Sequence, residues 1–306
     1  MTQDEQTKGF RAGFVCVVGR PNAGKSTLTN ALVGQKVAIT SMRPQTTRRA
    51  VRGIVHREHG QLVLVDTPGL HRPRTLLGER LNDLVRGTLS EVDVVVFCLP
   101  ADQRVGPGDR FIAQELREGR TPVVAVATKA DAVSKERLAE HLLAIAELGD
   151  WAEIVPVSAI KDIQLDLLVD LLLSYVPESP PLYPEGELTD EPDHVMVAEL
   201  IREAALEGVR DELPHSLAVV VEEMVEREQP HRDGRRMIDV RADVYVERDS
   251  QKAIVIGAKG ARLRDVGTRA RHGIEALLGA AVYLDLHVRI AKDWQRNPKQ
   301  LRRLGF

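Results

Sequence analysis

Residues 19–27 read GRPNAGKST and follow directly on the apolar run at residues 14–18. A strand that ends in G-x-x-x-x-G-K-S, with helix-compatible sequence behind it, predicts a loop that wraps a polyphosphate at the C-terminal end of that strand. Gly19 and Gly24 let the backbone curl so that successive N–H groups point at phosphate oxygens, with Arg20, Pro21, Asn22 and Ala23 spanning the turn. Lys25 supplies a compact positive charge for the β- and γ-phosphates. Ser26 offers a hydroxyl to Mg2+, and Thr27 leads into a helix whose positive end faces the same anion.

The rest of the first half suits such a loop. Strand-like runs fall at residues 14–18, 51–56, 61–66, 93–99, 123–128 and 153–156, and helical stretches at 25–33, 78–91, 108–118, 135–148 and 164–175. Strands and helices alternating at this rhythm predict an α/β domain with a doubly wound, mostly parallel sheet. The runs 51–56 and 61–66 form a hairpin in this scheme, with its turn at Glu58-His59-Gly60.

With 306 residues the chain is long enough for two domains, and 43% apolar with 28% charged residues is the make-up of a globular protein. The N-terminus, MTQDEQTKG, is polar and mildly acidic, unlike a signal peptide. No apolar run approaches the roughly 18–20 residues that span a bilayer; the longest stretch, 92–99, has the length of a buried strand. The two cysteines, Cys16 and Cys98, lie in expected core strands without metal-ligand spacing, which fits small buried side chains in a reducing cytoplasm. Charge is unevenly spread. Residues 251–306 carry twelve Lys/Arg against four Asp/Glu inside a chain of net charge −3, so the C-terminal part is suited to an anionic partner.

Three further pieces narrow the nucleotide. Asp66-Thr67-Pro68-Gly69 closes a strand: the carboxylate can hold Mg2+, most often through water, and the Gly69 N–H can face a γ-phosphate where a side chain would crowd. Thr128-Lys129-Ala130-Asp131 closes another, and the Asp131 carboxylate can accept from guanine N1 and N2, a donor pair that adenine lacks. After a third strand, Val157-Ser158-Ala159 offers backbone N–H groups to guanine O6. Each piece is weak alone. Their order and their placement at strand C-terminal ends, where ligands of such sheets bind, make the set specific.

With these residues the chain resembles the translation-factor-like GTPases, and within them the Era family of bacteria, over almost its whole length. The resemblance makes residues 19–26 the phosphate loop, Gln45-Thr46-Thr47-Arg48 the switch I signature, residues 66–69 the start of switch II, and residues 128–131 with 157–159 the base-reading loops. It implies GTP and GDP as ligands and a switch I threonine, Thr47 ahead of Thr46, joining Ser26 and Asp66 at Mg2+. The chain departs from the family's N-K-x-D motif, since Thr128 stands where Asn is usual; guanine specificity then rests on Asp131, with affinity lowered. Leu70 stands where many GTPases place a Gln that orients the attacking water, which predicts slow intrinsic hydrolysis, with catalysis left to Lys25, Mg2+ and loop amides. Asn22 matches an Asn of related GTPases that use K+ in place of an arginine finger, making K+ a second candidate cofactor; a turn-forming role explains Asn22 equally. The switch I arginines, Arg43, Arg48, Arg49 and Arg52, read as a solvated basic loop.

Residues 177–193 hold five prolines and six acids and no Lys or Arg, which predicts either an extended linker or an ordered but irregular loop. Beyond it come a helix at 194–208, strands at 217–227 and 236–247, a short apolar segment at 253–256, a helix ending near 278 and a strand at 281–290. In the second strand Ile238, Val240, Ala242, Val244 and Val246 share one face, and Asp239, Arg241, Asp243 and Tyr245 the other. Ile256-Gly257-Ala258-Lys259-Gly260-Ala261 contains G-x-x-G between two helical segments, followed by Arg262, Arg264, Arg269 and Arg271. Together with the α-β-β-α-α-β order this resembles a type II KH domain, whose loop clamps single-stranded RNA. Base specificity would come from an apolar groove with Ile254, Val255 and Ile256 as candidates. Trp294 either stacks on a base or packs against the domain.

The organisation expected is a polar tail at 1–9, a P-loop GTPase domain at 10–176, a linker at 177–193 and a small α+β type II KH domain with a basic tail at 194–306. The resemblance implies a GTP-hydrolysing switch that binds the 3′ region of small-subunit (16S) rRNA and serves small-subunit assembly and rRNA processing. A cytoplasmic monomer is expected, with any membrane contact peripheral. An RNA-binding scaffold that holds nucleotide without turnover, and a membrane-associated signalling GTPase, are the alternatives.

Overall fold

The structure, a computed structural model, describes residues 9–40, 47–70, 73, 75–207 and 216–305. Arg43, Gln45 and Thr46 of the switch I segment, residues 1–8 of the polar tail and Gly208 lie outside the described residues. The chain divides into two compact units, residues 1–74 with 78–190, and residues 75–77 with 191–306.

In the first unit the described strands form one sheet in the order β2-β3-β1-β4-β5-β6, with β1 at Arg11–Val18, β2 at Val51–Arg57, β3 at Gly60–Asp66, β4 at Val94–Pro100, β5 at Val123–Thr128 and β6 at Glu153–Pro156. All neighbours are parallel except β2 and β3, the expected hairpin. Its turn is tighter than the sequence reading: Gly60 already pairs with Arg57, so Glu58-His59 alone make the reversal. Alternate strand residues face opposite layers. Val15, Val17, Val96, Cys98 and Val126 pack with α1 (Lys25–Val33) and α5 (Leu165–Tyr175). Cys16, Val18, Val95, Phe97 and Ala125 pack with α2 (Leu76–Leu89), α3 (Pro107–Arg117) and α4 (Lys135–Leu148). Each fully buried Leu, Ile or Val stabilises this sandwich by about 1.5–3 kcal/mol. Cys16 and Cys98 thus sit on opposite faces as free buried thiols, and burial pushes both up to about 12.

The proline- and acid-rich segment is ordered against this sheet. Ser179 N–H donates to the Phe10 carbonyl at 3.0 Å. The Gln61 amide accepts from Leu182 and Tyr183 N–H at 2.7 and 3.0 Å and donates to the Tyr183 carbonyl at 2.9 Å. Along the outer strand β2, Ile54 N–H donates to the Leu188 carbonyl at 2.9 Å and the Thr189 hydroxyl to the Arg52 carbonyl at 2.7 Å. Arg52 pairs with Asp190 at 2.8 Å. Residues 178–190 therefore belong structurally to the first unit, because a polar chain beside an open strand edge satisfies both sets of backbone groups.

The second unit has α6 (Asp193–Leu206), β7 (Ala218–Glu226), β8 (Met237–Val246), α7 (Asp249–Ile256), α8 (Ala261–Leu278), β9 (Ala281–Ile290) and α9 (Pro298–Arg303). The sheet runs β7-β8-β9, antiparallel then parallel. Ile238, Val240, Ala242, Val244 and Val246 form the core face with Val197 and Ile201 of α6 and Val266 and Ile274 of α8. The opposite face is not uniformly solvated. Asp243 is 3% and Tyr245 4% exposed, since Arg303 of α9 lies over the Tyr245 ring and Arg289 pairs with Asp243. Trp294 is buried, its indole N–H donating to the Ser216 carbonyl at 2.9 Å, so it packs within the domain.

Candidate functional site

Residues 19–24 link β1 to α1 with Asn22 and Gly24 in the left-handed region, at φ 64° and 90°. Asn tolerates that conformation better than most residues, which accounts for Asn22 as a turn residue. Gly24 caps α1 without a side-chain hydrogen bond, so the first-turn amides of α1 keep an anion-binding end. Ala23 is buried and Thr27 half-buried beside it. The Lys25 ammonium is buried and donates to the Gly19 and Arg20 carbonyls, each at 3.2 Å. Burial lowers its pKa and nearby Asp66 draws it back up. Arg20 contributes its carbonyl to this arrangement, while its guanidinium turns away to Asp109 of α3 at 3.0 Å.

Three side-chain oxygens meet in front of the α1 end. Asp66 Oδ2 accepts from Ser26 Oγ at 2.6 Å and Thr47 Oγ1 at 3.2 Å, and the two hydroxyls are 3.0 Å apart. Asp66 is fully buried, and that burial raises its pKa against the opposing pull of Lys25. Its second oxygen, Oδ1, is buried without a hydrogen-bond partner among the described residues. A buried carboxylate with one idle oxygen beside two hydroxyls is a hard-oxygen donor set, and it fits Mg2+. Thr67 ties the start of switch II to β1 through its hydroxyl and the Val17 carbonyl, 2.7 Å. Pro68, Gly69 and Leu70 follow as buried residues. A Cβ on Gly69 would lie 2.8 Å from the Pro21 nitrogen, so the crowding that requires glycine here comes from the phosphate loop's own backbone. Leu70 is 1% exposed in the apolar core and presents no hydrogen-bonding group.

The loops at residues 128–131 and 157–159, expected to read the base, follow β5 and β6 beside this loop. Thr128 is buried and its hydroxyl donates to the Ala23 carbonyl at 2.6 Å. Lys129 adopts φ 57° and pairs with Asp102 at 3.0 Å. Ala130 N–H donates to the Val157 carbonyl at 3.0 Å, joining the two loops, and Asp131 is exposed. Ser158 is buried, its hydroxyl accepting from Lys161 N–H at 3.1 Å, with Ala159 half-buried next to it. The solvated basic loop expected for switch I does not hold at Arg48, which is 2% exposed; Arg52 is exposed, lies in β2 and pairs with Asp190.

In the second unit Gly257, Lys259 and Gly260 have φ of 71°, 49° and 76°, a turn between α7 and α8. A side chain at Gly257 would also collide with Arg262, 2.7 Å from its Cβ. Ala258 and Lys259 are exposed, Ile256 is half-buried and Ile254 is exposed. Val255, expected in an open groove, is 1% exposed in the core, because the helical period of α7 turns it inward. The four arginines divide. Arg262 donates to the Ala205 and Glu207 carbonyls at the end of α6, at 3.2 and 2.7 Å. Arg269 pairs with Asp265 at 2.7 Å and with Glu207. Arg264 and Arg271 are exposed without an ion pair among the described residues.

The geometry agrees with known proteins. A family model described as 50S ribosome-binding GTPase matches residues 14–129, and one described as KH domain matches residues 212–295. GTPase Era of Streptomyces coelicolor is 70% identical over 302 residues, covering 97% of this chain and 95% of its own. GTPase Era of Mycolicibacterium smegmatis is 67% identical over 300 residues, covering 97% and 99%. The chain belongs to the Era family of GTPases. Among solved structures, Era in complex with MgGDPNP and nucleotides 1506–1542 of 16S ribosomal RNA superposes with a TM-score of 0.91 at 37% identity, covering 97% of this chain and 99% of its own. An Aquifex aeolicus Era variant bound to GDP.AlF4- gives 0.90 at 36% identity, with the same coverage. The α/β P-loop domain followed by a KH domain is thus an Era architecture. Within it, Thr128 joins the loop at residues 128–131 to the phosphate loop through its hydroxyl and the Ala23 carbonyl. The sequence reading missed Asp102 and Asp109, for which no local spacing gives a signal.

Proposed function

We propose that this Era-family chain is a Mg2+-dependent GTP-hydrolysing switch that binds the 3′ region of small-subunit (16S) rRNA and acts in small-subunit assembly and rRNA processing. The convergence of Ser26, Thr47 and Asp66 oxygens, with Asp66 Oδ1 left idle, carries the first part. Mg2+ supplies a Lewis acid that offsets charge on the β- and γ-phosphates. Ser26, Thr47 and Asp66 hold it; Lys25 and the amides of residues 20–27 hold the phosphates; Gly69 N–H faces the γ-phosphate. Asp131 accepts from guanine N1 and N2, and the Ser158–Ala159 backbone donates to O6. With Leu70 buried, no side chain at that position orients water, so turnover is slow. Asn22 at the outer edge of the loop is the candidate K+ contact.

The turn at residues 256–260 grips the RNA backbone, with Lys259, Arg264 and Arg271 as phosphate contacts and Arg262 and Arg269 shaping the platform beneath. No helix among the described residues is long and apolar enough to cross a membrane; we take the chain to be a cytoplasmic monomer whose membrane contact is at most peripheral. The test is phosphate release from GTP and ATP with the full chain. Release from GTP alone, abolished by EDTA and by Lys25→Ala, supports the reading. A 16S 3′-end oligonucleotide should bind at low salt and lose affinity steeply as salt rises. No guanine preference together with no RNA binding overturns it. Equal turnover in potassium and sodium buffers removes K+ from the account.

A further inference from the structure

The stretch that leaves β4 and enters the first turn of α3 carries two acids that reach different halves of the nucleotide site. Asp102 accepts from Lys129 Nζ at 3.0 Å, and Asp109 from Arg20 Nε at 3.0 Å. Lys129 belongs to the base-reading loop and Arg20 to the phosphate loop, 109 positions apart in sequence. We propose that Asp102 and Asp109 are positioning residues of the GTPase site, one fixing the loop that reads the base and the other the loop that holds the phosphates.

Each acid is itself held in place. Asp109 is 1% exposed, and its second oxygen accepts from Gly106 N–H at 2.9 Å, which seats it at the first turn of α3. Before Asp102, Ala101 N–H donates to the Thr128 carbonyl at 2.8 Å; the Asp102 carbonyl accepts from Arg137 of α4 at 3.3 Å. The stretch from Ala101 to Asp109 is therefore anchored to β5, α3 and α4.

The two grips have different consequences. Lys129 has a left-handed backbone, an unfavourable conformation that a non-glycine residue keeps only where its surroundings hold it. The Asp102 pair is such a holding contact, so its loss loosens the base side. Arg20 bears the carbonyl that receives Lys25 Nζ, so the Asp109 pair sets where that ammonium stands relative to the β- and γ-phosphates. Its loss disturbs the chemical step. Charge-assisted hydrogen bonds to a carboxylate are the stronger kind, and the buried Asp109 is the more sheltered of the two acceptors, which suits a positioning role.

This inference rests on the GTPase reading above, and the experiment separates the two. Asp102→Asn, Asp109→Asn and Arg20→Gln are made in the full chain. Dissociation of fluorescent GDP and of a non-hydrolysable GTP analogue is followed by stopped flow, with steady-state GTP hydrolysis and melting of the nucleotide-free protein. Asp102→Asn should raise dissociation of both nucleotides about three- to tenfold and by the same factor, changing KM more than kcat. Arg20→Gln and Asp109→Asn should agree with each other, lowering kcat about three- to tenfold and releasing the GTP analogue faster relative to GDP. Arg20→Gln leaves the Gly106–Asp109 cap intact, so agreement of the pair assigns the effect to the ion pair. Wild-type kinetics in all three variants, or a change confined to the melting temperature, overturns the inference. A wild-type protein that does not prefer guanine nucleotides overturns the GTPase reading instead.

Discussion

The Thr128 hydroxyl donates to the Ala23 carbonyl at 2.6 Å, so one short side chain joins the end of β5 to the phosphate loop. Thr128→Val keeps the shape and removes the donor, leaving a buried carbonyl unpaired at a cost of about 1–3 kcal/mol. GDP affinity measured by titration calorimetry should fall about tenfold. Thr128→Ser keeps a hydroxyl and should stay within about threefold of wild type by the same measurement.

Gly69 stands where a methyl group would meet the Pro21 nitrogen at 2.8 Å. Gly69→Ala must push switch II away from the phosphate loop. Misplacement on that scale costs catalysis about 10–100-fold. Single-turnover hydrolysis should slow by that factor while GDP affinity changes little, because the proposed role of the displaced group is to face the γ-phosphate.

Restoring a glutamine after D-x-x-G should not restore fast hydrolysis. Leu70 is 1% exposed within the layer containing Val85 and Phe97. Leu70→Gln exchanges apolar contacts for a buried amide, so its cost lies on the order of the 2–5 kcal/mol of core Leu truncations. Thermal unfolding should show a lower melting temperature and kcat should not rise.

His141 is 7% exposed, and burial holds its pKa below the usual 6.5. The unfolded chain then takes up a proton more readily than the folded one. Stability is retained above about pH 6.5 and lost as pH falls from there through the lower folded-state pKa. The melting temperature of His141→Gln should drop less than that of wild type between about pH 7.5 and 5.5.

The spacing of motifs and the period of apolar residues made the strand ends that carry the candidate site legible. Residues 19–27, 66–69 and 128–131 each end a strand, and a strand end fixes where a loop must lie. The KH order was legible for the same reason. Long-range pairings were not. Arg20 and Asp109 are separated by 89 positions, and only the docking of α3 brings them together. Arg48 reads as a surface cation by type and is buried by tertiary placement. Val255 sits inside an apolar run in which sequence alone does not distinguish the inward residue from its neighbours; the phase of α7 does. Tyr245 alternates correctly with the core face, yet the C-terminal helix covers it.

The stretch from Ser179 to Asp190 works as a hem sewn onto the open border of the sheet through Ile54 and Arg52 of β2, and tied to Gln61 of the neighbouring β3. Cutting it off at residue 176 would leave β2 with vacant donors and acceptors and the Gln61 amide without the three bonds that bury it. Such a fragment has a sticky border, prone to edge-to-edge association with its own copies. A self-contained nucleotide-binding fragment of this chain therefore extends through residue 190, and the proline-rich stretch is as much a part of its solubility as any charged face.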